Sequence, residues 1–151
     1  MKKLNSIENL IGSGIYTGFI PFASGTFASL LAVFIYFIPG FENLYIIIPV
    51  TVISFLIGIP IGTKFETQFG KDPAQCTIDE FTGTWISLMF IPKDVTFIAI
   101  SFFVWRMLDI FKPYPANKME NLSGGLGIMM DDVVAGLYTC LFVNVLYRVI
   151  I

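Results

Sequence analysis

Gly124-Gly125-Leu126-Gly127-Ile128-Met129-Met130-Asp131-Asp132-Val133-Val134-Ala135-Gly136 is the stretch on which the reading of this chain turns. A glycine-rich turn leads into two adjacent carboxylates, and no further charge appears until Arg148. Glycines permit positive φ and close backbone approach to a ligand. Paired aspartates offer the hard oxygen ligands that Mg²⁺ prefers. The run that follows reads as a membrane helix, so the pair stands where that helix enters lipid. A charge in such a place is costly and is a functional-site hypothesis by default.

The rest of the composition agrees with that reading. Of 151 residues, 56% are apolar and only 13% charged, about half the charged fraction of ordinary globular chains. Mean hydropathy is +0.80. The expected fold is all-α, a single polytopic membrane bundle over residues 1–151 with about five apolar helices, some short or broken. Residues 1–14 add a short amphipathic helix, with Leu4, Ile7, Leu10 and Ile11 at helical spacing. The net charge of −2 and the absence of any basic cluster beyond Lys2-Lys3 give no sign of a nucleic-acid partner. No obligate protein partner is evident. Cys76 and Cys140 do not suggest a disulfide. No cleaved signal peptide is expected. Histidine is absent, which excludes Ser-His-Asp, Cys-His and histidine-zinc chemistry.

Apolar runs fall at 27–38, 45–61, 81–91, 95–108 and 133–151. Ser24 or Thr26 is a candidate cap for the first. A polar loop is expected over 63–77. The third and fourth runs reach only about 17–21 Å at 1.5 Å per residue, short for a ~30 Å hydrocarbon core. Lys2, Lys3, Lys64, Lys71, Lys112 and Lys118 place the N-terminus and the 63–77 and 109–132 loops in the cytoplasm. Lys93 and Arg148 then lie on the far side.

Under this topology Asp79 and Glu80, Asp109, and Asp131 and Asp132 all reach the same membrane face. Five carboxylates in one layer repel one another unless cations neutralise them. Arg106 and Lys112 supply two positive charges, and a divalent ion would supply two more. Arg106 suits bidentate phosphate contact, and Lys112, before Pro113, presents a point charge. Arg106, Asp109 and Lys112 are spaced by three, which also fits simple ion pairing. Gly83 after Glu80 leaves an uncrowded face, and Ala135-Gly136 allows another backbone to pack close. Ser24-Gly25-Thr26 resembles a helix start that could hold a phosphate. The alternative of a different class is a small transporter or channel subunit with carboxylates lining a cation path.

Taken in order, Gly18, Pro21, Ala23-Ser24-Gly25-Thr26-Phe27-Ala28-Ser29-Leu30, Asp79-Glu80-x-x-Gly83, Arg106-x-x-Asp109-x-x-Lys112-Pro113-x-Pro115 and the 124–136 stretch resemble the phosphatidylglycerophosphatase A family. The resemblance implies a Mg²⁺-dependent phosphatase of the bacterial inner membrane, its active site facing the cytoplasm. Its phospholipid substrate would be phosphatidylglycerophosphate and its product phosphatidylglycerol. On that footing Asp79, Glu80, Asp131 and Asp132 are the expected metal ligands, with Asp109 a further ligand or the general base. Arg106 and Lys112, with Thr26 and Ser29, are the expected phosphate contacts. Attack by water and a covalent phosphate on Asp109 or Asp131 both remain open at this point.

Overall fold

The computed structural model describes residues 3–151; Lys2, used above to orient the chain, lies outside them. The described residues form seven α-helices and one 3₁₀ turn, with no strand among them. They are α1 (Ser6–Gly12), the turn Thr17–Phe19, α2 (Ser24–Tyr36), α3 (Leu44–Phe69), α4 (Ile78–Ser87), α5 (Val95–Phe111), α6 (Ala116–Met119) and α7 (Gly125–Ile150). Two of them, α3 and α7, are 26 residues each and long and apolar enough to cross a membrane. Of the about five apolar helices expected, the others are shorter: α2 and α5 have 13 and 17 residues, and α4 has only ten.

The short third run has a physical explanation. Every residue of α4 is buried, enclosed by α2, α3, α5 and α7. A helix surrounded by protein need not match the thickness of a bilayer, and its apolar circumference reads like that of a membrane span. It ends at Ser87, before the 91 expected, and Phe90 follows with φ +65°. Where α4 crosses α7 the backbones nearly touch. A Cβ on Gly136 would stand 2.8 Å from the Gly83 carbonyl, and one on Gly83 would meet the Trp105 ring at 2.5 Å. Gly136 is thus the close-packing position expected, whereas the face of Gly83 is filled by α5 and α7 and is not open to a ligand.

The glycine stretch before Asp131 also departs from expectation. Only Gly124 has positive φ, +67°, and Gly125 to Gly127 are already helical. Their bareness serves packing: a Cβ on Gly125 would lie 2.0 Å from the Ile59 carbonyl of α3, and the Gly125 N–H donates to Thr63 Oγ1 at 2.9 Å. The polar loop begins only after Phe69, since α3 runs on past Lys64 and Glu66. α1 is the amphipathic start, capped by Asn5 and Glu8 acting reciprocally and tied to α3 by the Lys64–Glu8 ion pair. The cap of α2 is Ala23 in the left-handed region, not Ser24 or Thr26. Cys76 and Cys140 are both free thiols. Trp85 and Trp105 are buried packing residues. Outside the core, Phe34, Phe103, Leu141 and Val149 are among many exposed apolar side chains, the kind of surface that lipid or a partner covers.

Candidate active site

The first turn of α4, the last two turns of α5, the second turn of α7 and the start of α2 converge on one polar pocket of about 360 Å³. Its walls carry six carboxylates, Asp72, Asp79, Glu80, Asp109, Asp131 and Asp132, against two cations, Arg106 and Lys112. All five carboxylates expected at one face are therefore here, drawn from three helices.

Five of them, with Glu120 beside the pocket, fall into two groups of three, each served by one base, and Asp79 stands apart. In the first, Glu80, Asp109 and Asp132 bring ligand atoms within 4.8 Å of one another. Arg106 Nη1 donates to Glu80 Oε2 at 2.6 Å and to Asp109 Oδ2 at 2.5 Å. Ser29 Oγ donates to the same Glu80 oxygen at 3.1 Å. In the second, Asp72, Glu120 and Asp131 gather similarly around the Lys112 ammonium, which pairs with Glu120 and donates to Asp131 Oδ2 at 2.8 Å. Burial alone would lower the Lys112 pKa; hydrogen bonds to Asp131 and Glu120 outweigh it and hold the ammonium above the ordinary lysine range. Cys76, in the loop wall, has its thiol pushed well up by burial, with the Asp79 charge adding to it.

Two carboxylate oxygens are left over. Asp79 Oδ1 and Asp132 Oδ2 are buried without a hydrogen-bond partner, although both residues are less than a tenth exposed. Unpartnered buried carboxylate oxygens are expensive, and a bound cation is one remedy. Asp79 and Glu80 are not helix caps: the cap position is Thr77, which makes no side-chain cap bond.

The expected phosphate contacts are placed differently. Ser29 is buried and turned onto Glu80. Thr26 is half-buried and is not part of the pocket wall, where Ala23, Ser24 and Gly25 stand instead. The Ser24 hydroxyl donates to the Ala74 carbonyl at 3.0 Å. Gly25 lies directly over the first group: a Cβ there would meet Glu80 Oε1 at 2.1 Å. Asp72 and Glu120 are not among the five carboxylates expected at the site. The available signal was their position in the two loops assigned to the same face as the other acids.

Comparison with known proteins gives this pocket a context. The family model of phosphatidylglycerophosphatase A matches residues 10–147. A Bacteroides thetaiotaomicron protein provisionally named phosphatidylinositol-3-phosphatase is 38% identical over 153 residues, covering 96% of each chain. The phosphatidylglycerophosphatase A of Escherichia coli is 33% identical over 137 residues, covering 89% of this chain and 80% of its own. That of Haemophilus influenzae is 33% identical over 152 residues, covering 95% and 91%. No solved structure matches. The chain belongs to the phosphatidylglycerophosphatase A family and is a lipid phosphatase of that class.

Proposed function

We propose that the chain hydrolyses the terminal phosphate monoester of phosphatidylglycerophosphate, giving phosphatidylglycerol and phosphate in phospholipid biosynthesis. The work would be done at the cytoplasmic face of a bacterial inner membrane. The observation that carries this is the meeting of Glu80, Asp109 and Asp132 beside two buried, unpartnered carboxylate oxygens, one and a half to two turns inside a membrane-length helix.

The donor set fits Mg²⁺: all oxygen, anionic, and short of positive charge. Glu80 and Asp132 would hold it, with Asp79 Oδ1 a further oxygen that has no other partner, while Asp109 stands beside them. When bound, the ion would polarise the phosphoryl group and lower the pKa of water at the site. Arg106 already organises this group by holding Glu80 and Asp109 through one nitrogen. Its position also offers charge to the equatorial phosphoryl oxygens. Asp109, held by Oδ2, is assigned as the acceptor of the attacking water's proton through Oδ1. Lys112 anchors Asp131 and places a fixed positive charge at the same pocket for the incoming phosphate. Ser29 orients Glu80 and is not a substrate contact in this arrangement.

The test is phosphate release by the purified chain from phosphatidylglycerophosphate in mixed micelles, with and without chelator, alongside phosphatidylinositol 3-phosphate. Chelator-sensitive release from the first, faster than from the second, is the expected result. The reverse order would give the substrate to the phosphoinositide named for the Bacteroides relative. No release from either would remove the proposal.

A further inference from the structure

The acidic pocket is polar, so a lipid whose headgroup enters it must keep its acyl chains outside. The walls show where. Ala23, Ser24 and Gly25 at the start of α2 line the pocket together with Arg106, Asp109 and Ile110 of α5. These helices form no extensive packed seam with each other: α2 packs on α4, and α5 packs on α7 and α4. Between the start of α2 and the end of α5 no packed helix seam closes the pocket rim.

Ile110 belongs to this rim, lining the pocket while 66% exposed. It continues an outward stripe on α5, Phe103, Met107 and Ile110, at spacings of four and three that put them on one helix face. Just before α2, Phe22 is exposed and packs edge-on against Phe27, their centroids 5.8 Å apart. Just beyond α5, Tyr114 is exposed, with the Lys118 ammonium 5.2 Å from its ring centroid. Its carbonyl accepts from the Tyr138 hydroxyl at 3.0 Å. An aromatic and a lysine at the end of an apolar stripe are what a headgroup boundary selects.

We propose that the lipid enters sideways through the α2–α5 gap, its phosphomonoester passing Ile110 into the pocket and an acyl chain lying along Phe103, Met107 and Ile110. This stripe then sets the preference for membrane lipid over soluble phosphomonoesters. The inference rests on the lipid-phosphatase reading and deepens it.

The experiment compares long-chain phosphatidylglycerophosphate with its deacylated, water-soluble headgroup as substrates of the full chain in mixed micelles. Ile110→Ser and Met107→Ser, the second off the pocket wall, should each lower the long-chain to deacylated ratio of kcat/KM roughly tenfold. Leu141→Ser, an equally exposed apolar position on α7, should keep the wild-type ratio. Release from both substrates with ratios unchanged in the Ile110 and Met107 variants overturns the side entry alone. A ratio that falls as far in Leu141→Ser also overturns it, since any lipid-facing position would then serve. Failure of the wild type to release phosphate from either substrate overturns the reading beneath it, and the inference with it.

Discussion

Gly25→Ala should separate activity from stability. In the first turn of α2 the residue has ordinary helical backbone, so alanine gains about 1 kcal/mol of helix preference over glycine. The added Cβ, however, would stand 2.1 Å from Glu80 Oε1 and 3.2 Å from Arg106 Nη2. Glu80 cannot retreat without loosening its bonds to Ser29, at 3.1 Å, and Arg106, at 2.6 Å. A hydrogen bond to a charged group contributes about 1.5–3 kcal/mol, so losing one leaves a net cost of about 0.5–2 kcal/mol. At about 2–4 °C per kcal/mol in a chain of this size, Tm should fall by less than about 8 °C. Displacing Glu80 by an ångström or more should cost activity roughly 10²-fold. Phosphate release in mixed micelles and thermal unfolding in the same detergent measure the two quantities on one sample. An alanine variant retaining half of wild-type activity would refute the claim that Glu80 must sit where Gly25 leaves room. A Tm loss beyond about 15 °C would show the glycine to be structural instead.

Other outcomes follow from the same geometry. Asp132→Asn is isosteric and removes one of six crowded charges, so it should abolish phosphate release while Tm in chelator holds or rises. It should also blunt the Tm increase that excess Mg²⁺ gives the wild type, about 2.7 kcal/mol at a hundred times Kd; a Tm fall in chelator would count against this. Gly136→Leu forces bulk into the 2.8 Å approach to Gly83 and should lower Tm by more than 10 °C or prevent folding, read by unfolding in detergent; a near-native Tm would contradict the tight crossing. Glu42, held below the usual carboxylate range chiefly by the hydrogen bond from Lys93, contributes stability above its unfolded pKa of about 4.3 that is lost as pH falls through the lower folded value. The Tm gap between wild type and Glu42→Gln should therefore be open at pH 7, begin to narrow at about pH 4.3 and close only below the lowered folded value.

What the sequence disclosed, and what it hid, follows from how charge and apolar pattern carry information. Carboxylates at the ends of apolar runs are rare enough to be read, and Asp79, Glu80, Asp109, Asp131 and Asp132 do meet. Asp72 and Glu120 sit in polar loops, where an acid normally needs no explanation, and only folding brings them to Lys112. The apolar periphery of α4 matches the signature of a membrane span because a pattern cannot tell lipid from neighbouring helices. Gly124 to Gly127 suggested a ligand-binding turn, since glycine composition alone does not separate positive φ from close helix packing. Arg106 was legible as a cation near the acids, and its i,i+3 spacing to Asp109 fits their pairing, but its bond to Glu80 depends on the α4–α5 approach, which no spacing within one segment encodes.

The depth of the pocket bears on the choice between enzyme and ion path. From Asp132 to Ile150 α7 rises about 27 Å, and from Leu44 to Gly62 α3 does the same, close to a ~30 Å hydrocarbon core. With both helices crossing as proposed, the carboxylates lie at one edge, and the Glu42–Lys93 pair marks the other. Below the site the buried polar side chains are mostly hydroxyls turned onto backbone carbonyls. Thr82 donates to Ile78, Ser87 to Thr84, Ser101 to Ser87 and Thr139 to Ala135; only the Thr84 hydroxyl among these lacks a partner. A cation crossing the bundle would need ligands along this stretch, and the hydroxyl oxygens there are mostly committed to the helices. With the helices so placed, the acids gather at one edge, while behind them the α4 and α7 backbones pack closely at Gly83 and Gly136. That arrangement suits chemistry on a headgroup and gives an ion nowhere to go.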